Sequence, residues 1–216
     1  MEAYVHIFRQ VLPLAIVKAL LDDSASFGAD EHPSGQFSNH QSQTFACSCR
    51  LCTPEVLRTC EDSKEPCTAS LSKALNVVHS LLRSIPETHC INRLTKGTRH
   101  LHHVDGEESW WKFIVILKRA RAGGMLSIAK RCEPCLCLID GRCVPFEPIE
   151  FDLRPGDAYG LWSGRVCHGV SEVRNDMRAT WALRYAREPE AIQELIESGR
   201  CYRVEAARTQ PRFERG

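Results

Sequence analysis

Arg99-His100-Leu101-His102-His103-Val104-Asp105 is the stretch on which the reading of this chain turns. It has the make-up of a β-strand, and on a strand the side chains of residues i and i+2 share a face. His103 and Asp105 therefore point the same way, Val104 points into a core, and His102 faces away. A second strand-like segment, Val166-Cys167-His168-Gly169-Val170, offers another imidazole. Two histidines and one carboxylate are the ligand set of a mononuclear Fe(II) site that keeps positions open for oxygen and a co-substrate. As a short motif the triplet is weak. A surface pair of His103 and Asp105, with His168 as a satisfied core histidine, explains it at least as well.

The pattern around this stretch is that of a β protein. Tyr4 to Phe8 alternates as a short strand. Pro13 fits the first turn of a helix, and Leu14, Ile16, Val17, Leu20 and Leu21 give that helix an apolar face before Asp22-Asp23-Ser24 and Gly28 end it. A second helix is expected from Thr68 or Ser70, with Leu71, Leu75, Val78, Leu81 and Leu82 as its buried stripe and Pro86 setting its limit. From His89 to Arg187 short strands follow: Cys90 to Thr95, Arg99 to Asp105, Trp110 to Lys118, Met125 to Ala129, Phe151 to Leu153, Tyr159 to Trp162, Val166 to Val170 and Ala179 to Ala186. Cys135 to Ile139 and Cys143 to Phe146 flank Asp140-Gly141 as a hairpin. Many short strands between turns indicate a sandwich, jelly roll or barrel. A last helix fits Pro189 to Glu197 with Gly199 beyond it, and the charged tail after Cys201 is expected to be loosely held.

The chain has 216 residues, of which 43% are apolar, enough for one domain with a core. Lysines and arginines number 28 against 27 acidic residues, a net charge of +1, so no overall basic field favours nucleic acid. The first residues lack a basic segment followed by an apolar run, and no stretch is long enough to cross a bilayer as a helix. With no secretory signal, the twelve cysteines are read as thiols or metal ligands, and a cytoplasmic location is expected.

Several segments in order resemble the Fe(II)- and 2-oxoglutarate-dependent dioxygenases, in particular their prolyl-hydroxylase-like branch. Ile91-Asn92-Arg93-Leu94-Thr95-Lys96-Gly97, running on to His103-Val104-Asp105-Gly106, is similar to that family's approach to its His-x-Asp. Trp110 to Leu117, then Ala122-Gly123-Gly124-Met125-Leu126, resembles its long strand and Gly-Gly turn. Arg154-Pro155-Gly156-Asp157, Trp162 and His168-Gly169-Val170 resemble its Pro-Gly turn and distal histidine. Arg178 follows His168 by ten positions, where that branch carries the basic residue for the 2-oxoglutarate tail. The likeness covers about residues 3–22 and 88–187.

The resemblance implies a single domain over 1–216 with a double-stranded β-helix (jelly-roll) core at about 88–187, flanked by helices. It implies His103, Asp105 and His168 as Fe(II) ligands, with 2-oxoglutarate and O₂ as co-substrates. Arg178 would hold the tail carboxylate, for which a planar guanidinium is suited. Thr180, two residues on and so on the same strand face, would add a hydroxyl, and Arg184 shares that parity as a second cation or as a surface residue. The implied reaction oxidises a C–H bond of an amino acid, a peptidyl residue or a small natural product and releases succinate and CO₂. Asp105, a carboxylate, argues against the halogenating variant. Leu94 stands where the family often has a tyrosine that touches 2-oxoglutarate.

Trp110, Trp111, Phe113 and Trp162 are candidates for a substrate pocket, with core packing the simpler use. The polar stretch at about 27–67 has little periodicity and is expected to be a long loop, as a lid, a metal-tied insertion or a disordered segment. The Cys-rich stretches 47–67 and 132–143, with Cys47-x-Cys49-x₂-Cys52 and Cys132-x₂-Cys135-x-Cys137, have no counterpart in the family. With Cys60, Cys67 and Cys143 they offer ligands for a structural Zn(II), or they are small buried side chains. Two other functions stay open: a nucleic-acid demethylase of the same superfamily, and a zinc-tied interaction module without catalysis.

Overall fold

The protein, seen in a computed structural model, is described over residues 4–24, 30–31, 42–46, 69–105, 110–132 and 145–206. Its elements begin with β1 (Tyr4–Phe8), α1 (Leu14–Ser24), β2 (Asp30–Glu31), β3 (Ser42–Ala46) and α2 (Ala69–Leu82). Then come β4 (Thr88–Leu94), β5 (His100–His103), β6 (Trp111–Lys118), β7 (Ala122–Gly123), β8 (Leu126–Cys132) and β9 (Pro145–Phe151). The chain continues through β10 (Ala158–Trp162), β11 (His168–Val170), β12 (Val173–Asn175), β13 (Arg178–Tyr185), α3 (Ala191–Glu197) and β14 (Cys201–Glu205).

The protein is mainly β, with a jelly-roll core and helices on its flank. An eight-stranded sheet runs in the order β14-β1-β10-β6-β13-β4-β3-β2, and a four-stranded sheet in the order β5-β11-β8-β9. A short pair, β12-β7, stands apart from both. Residues directly opposite in a sheet lie on one face. The register Tyr159↔Ile114, Ala182↔Ile114 and Thr180↔Ile116 therefore puts these side chains on the face turned towards the small sheet. There Val5, Ile7, Ile114, Ile116, Tyr159 and Leu161 meet Leu126 and Ile128 of β8 in one core. The other face of the large sheet packs Trp111, Phe113, Val115, Trp181, Leu183 and Tyr185 against Val17 and Leu20 of α1, Leu75 and Val78 of α2, and Ile192 and Leu195 of α3. β6 is thus covered on both sides. That explains its nearly unbroken apolar run, Trp-Lys-Phe-Ile-Val-Ile-Leu-Lys, in which Lys112 is the interior exception.

α2 buries Leu71, Ala74, Leu75, Val78 and Leu82, the three-and-four spacing of one helix face. It stops at Leu82, and Arg83 takes a left-handed φ of 51° before Pro86. α3 ends on Gly199, at φ 72°, whose N–H donates to the carbonyl of Ile196. In the Pro-Gly turn Gly156 has φ 90°, and a Cβ there would stand 2.6 Å from the carbonyl of Leu12. Asp157, buried beside it, accepts hydrogen bonds from the backbone of Gln10 and Arg154 and from Arg9 Nη1 at 2.6 Å. The segment between β1 and α1 is thereby fastened to the start of β10.

Five expectations change. Leu14 is 68% exposed, so the apolar stripe of α1 begins later than its sequence suggests. The start of the tail, to Glu205, lies in β14, in register with β1 from Phe8↔Cys201 to Tyr4↔Glu205, and residues 207–216 lie outside the described residues. Only Cys201 and Ala206 of that stretch are buried, so its outward residues carry no apolar alternation. Within the polar stretch 27–67, β3 adds to the large sheet beside β4, Ser42↔Leu94 to Ala46↔Cys90. Backbone pairing between strands needs no apolar pattern. β9 runs unbroken from Pro145 to Phe151 where separate strands were expected at Cys143 to Phe146 and Phe151 to Leu153, and as an edge strand it tolerates Pro148. Val104 is half-buried and not a core residue. The Asp140–Gly141 hairpin and the cysteines of the two clusters other than Cys132 lie outside the described residues, and Cys90 and Cys201 are free thiols.

Candidate metal centre

β5 and β11 are neighbours in the small sheet, and His103 stands directly opposite His168. The register slips between His168 and Val170, where a Cβ on Gly169 would lie 2.8 Å from the carbonyl of His100. Only glycine lets the two strands approach this closely beside the histidine. The two imidazole rings are 4.6 Å apart between centroids and tilted by 43°. Asp105 lies two residues past the end of β5, and its backbone N–H donates to Ser163 O at 2.9 Å, which ties it to the chain between β10 and β11. One ligand atom from each of His103, Asp105 and His168 falls within 4.8 Å of the others, a separation that suits one metal ion.

Hydrogen bonds behind the rings set which nitrogens face inwards. His103 Nδ1 is 2.8 Å from the carbonyl of Leu101, and His168 Nδ1 is 2.9 Å from that of Val166. A carbonyl only accepts, so each Nδ1 carries a hydrogen and each Nε2 is the nitrogen left to face a metal. Burial, reinforced by His103, lowers His168 to about 3, so the imidazole is neutral at physiological pH. For Asp105 burial opposes the charge. The hydrogen bond from His103, the neighbouring His168 and the ammonium of Lys112 outweigh it and hold the carboxyl well below the usual range. The residues present therefore fit a divalent metal: two imidazole nitrogens and one fixed anion. His102 turns away, its Nε2 2.9 Å from Ser127 Oγ, as strand parity requires.

Arg178 opens β13 and is buried, directly opposite Leu94. Its Nη2 is fully enclosed and meets no acceptor. Gly124 of the Gly-Gly turn packs against it. Gly123 and Gly124 have φ of 72° and 66°; a Cβ on Gly123 would collide with the carbonyl of Glu172 at 1.8 Å, and one on Gly124 would sit 3.4 Å from Arg178 Cδ. Tyr159 of β10 places its phenol against the Arg178 guanidinium within hydrogen-bonding reach, while burial pushes the phenol's own ionisation up. Thr180 is buried on the same face, opposite Asn92 and Ile116. Arg184 shares the face but not the place. It is exposed, opposite Thr88 and Lys112, and six residues of strand put it about 20 Å along from Arg178. Of the two roles its parity allowed, second cation or surface residue, this position fits the surface one.

The aromatic candidates divide. Trp111 and Phe113 are wholly buried on the helix side of the large sheet, so they are core and line no pocket at the histidines. Trp110 is half-buried, and Trp162 is half-buried under the guanidinium of Arg165, 4.9 Å above its ring. Two residues escaped the sequence reading. Lys112 bonds Asp105 Oδ2, and its signal was a lone cation inside an apolar strand. Tyr159 is a polar tip among core residues two positions after the Pro-Gly-Asp turn.

No protein-family model matches the chain, and no curated protein matches it in sequence. Solved structures do match in shape. HygX from Streptomyces hygroscopicus with nickel and 2-oxoglutarate bound superposes with a TM-score of 0.54 at 14% identity, over 82% of this chain and 80% of that one. The same protein with hygromycin B also bound gives 0.52 at 14% identity, over 82% and 80%. A Pseudomonas putida prolyl-4-hydroxylase gives 0.49 at 15% identity, over 87% and 94%. At these identities the likeness speaks for architecture, and in architecture the chain has the jelly-roll fold of the 2-oxoglutarate- and Fe(II)-dependent oxygenases.

Proposed function

We propose that this chain is an Fe(II)- and 2-oxoglutarate-dependent oxygenase that oxidises a C–H bond of an amino acid, a peptidyl residue or a small natural product. The observation that carries the reading is a pair of matched anchors: His103, Asp105 and His168 converging within 4.8 Å, and a buried Arg178 whose Nη2 has no acceptor. A guanidinium N–H enclosed without an acceptor costs about 1–3 kcal/mol, and a carboxylate arriving there offsets that cost.

In this reading His103, Asp105 and His168 hold Fe(II) on one side and leave the other open. Arg178 and the Tyr159 phenol hold the tail carboxylate of 2-oxoglutarate, and Thr180 adds a hydroxyl on the same face. Tyr159 thereby supplies, from β10, the phenol missing at Leu94 in β4. When bound, the metal and 2-oxoglutarate supply the oxidising chemistry, which consumes O₂ and yields succinate and CO₂. The protein's part is to turn two imidazole nitrogens inwards, keep Asp105 ionised, and hold Arg178 buried against the Gly123-Gly124 turn. HygX has been seen with hygromycin B bound, and a small-molecule substrate for this chain is in keeping with that shape.

The test is release of succinate from 2-oxoglutarate with Fe(II) and O₂, compared with Asp105→Ala, across a panel of amino acids, peptides and small natural products. We expect turnover that requires Fe(II), falls to background in the variant, and rises with the true substrate. Turnover unchanged in Asp105→Ala, or no binding of 2-oxoglutarate to metal-loaded protein, would overturn the reading.

A further inference from the structure

Lys112 is an anomaly in β6. The other residues of that strand on the inner face, Ile114 and Ile116, are buried and apolar. The lysine side chain is only 18% exposed, and a half-sheltered ammonium is costly unless an anion meets it. The anion it meets is Asp105, through Oδ2. The other carboxylate oxygen, Oδ1, is on the histidine side, 3.4 Å from His103 Nε2. The two oxygens of one carboxylate thus have separate surroundings: one is closed by a cation, the other faces the two imidazoles.

We propose that Lys112 is a positioning residue of the metal centre: it occupies the outer oxygen of Asp105, so that the carboxylate meets the metal through Oδ1 alone. The proposal rests on the oxygenase reading above and deepens it. A carboxylate binds a metal through one oxygen or through two. With two histidines and a one-oxygen carboxylate, a six-coordinate ion keeps three positions. A two-oxygen carboxylate takes one of those away, and a chelating 2-oxo acid plus O₂ needs all three. The ammonium also offsets part of the negative charge that Asp105 and a dianionic co-substrate bring together.

The test separates metal binding from co-substrate binding. Mn(II) affinity, and then 2-oxoglutarate affinity of the Mn(II)-loaded protein, are measured for wild type, Lys112→Met, Lys112→Arg and His168→Ala. We expect Lys112→Met to bind Mn(II) no more weakly than wild type, because a repelling cation is gone and a second oxygen is freed. We expect it to lose 2-oxoglutarate affinity by about tenfold, the usual scale for residues that orient a metal's ligands. Lys112→Arg, which restores a cation and donor, should recover most of that loss, and His168→Ala should lose Mn(II) itself. A lysine that merely supported folding would lose both ligands together. If Lys112→Met does not fold, Lys112→Gln is read in the same way. Wild-type 2-oxoglutarate affinity in the neutral variant, or parallel loss of Mn(II) and 2-oxoglutarate, overturns the proposal and leaves the oxygenase reading standing. A wild-type protein that binds neither ligand overturns both.

Discussion

His103 and His168 face each other across the antiparallel pair of β5 and β11, each with its Nδ1 on the carbonyl two residues before it in its own chain segment. The backbone of the two strands therefore sets both the separation of the rings and the nitrogen each presents. A centre built this way exists before any metal arrives, so binding draws on the folded state alone.

That preorganisation predicts a thermal signature. A ligand that binds only the folded protein stabilises it by RT ln(1 + [L]/Kd), about 2.7 kcal/mol at a hundredfold excess over Kd. Mn(II) at that excess should raise the melting temperature, and EDTA should reverse the rise. His168→Ala and His103→Ala should abolish it. Differential scanning calorimetry with and without metal decides, and a rise that survives in His168→Ala would place the metal elsewhere.

Arg178 should govern co-substrate affinity more than turnover. It contributes a charged, doubly donating contact, worth about 1.5–3 kcal/mol where a partner is buried. Arg178→Leu is expected to raise the KM for 2-oxoglutarate by about ten- to a hundredfold, with kcat changed less. Tyr159→Phe removes one neutral donor and should cost about fivefold. Arg178→Lys should recover only part of the loss, since a point charge does not reproduce the fork. Initial rates at varied 2-oxoglutarate give these ratios. Equal KM values in wild type and Arg178→Leu would remove Arg178 from the co-substrate site.

What could be read in the sequence follows from what each feature depends on. The closeness of His103 to Asp105 and the turn glycines are local, and each has a counterpart in the structure, although Asp105 lies past the end of β5 and not on it. Lys112 and Tyr159 enter the site only because β6, β10 and β13 lie side by side, a pairing no single segment announces. β3 and β14 were hidden for another reason. They are held at or next to a sheet edge by main-chain bonds, which leave no apolar period to read. Arg184 shows the converse limit: parity gave its face correctly and said nothing of its distance along the strand.

His89 makes the fold sensitive to acid. It lies on β4 with its ring edge-on to Trp181, 6.0 Å between centroids, and its Nε2 has no partner. Burial lowers it from 6.5 to about 4. Above pH 6.5 the imidazole is neutral whether the chain is folded or not, and the group adds no pH dependence. As the pH falls from 6.5 towards 4, the unfolded chain takes up a proton that the folded one refuses. Stability therefore drops by about 1.4 kcal/mol per pH unit from this residue, about 3 kcal/mol over the window. His89→Phe keeps an aromatic ring against Trp181 and removes the titration. His6, lowered to about 4 by burial and then by Arg203, acts in the same direction in both proteins and cancels from the comparison. Urea unfolding at pH 7, 6 and 5 should show the variant losing less stability per unit than wild type. Identical slopes would mean that His89 is protonated, or solvated, in the folded chain.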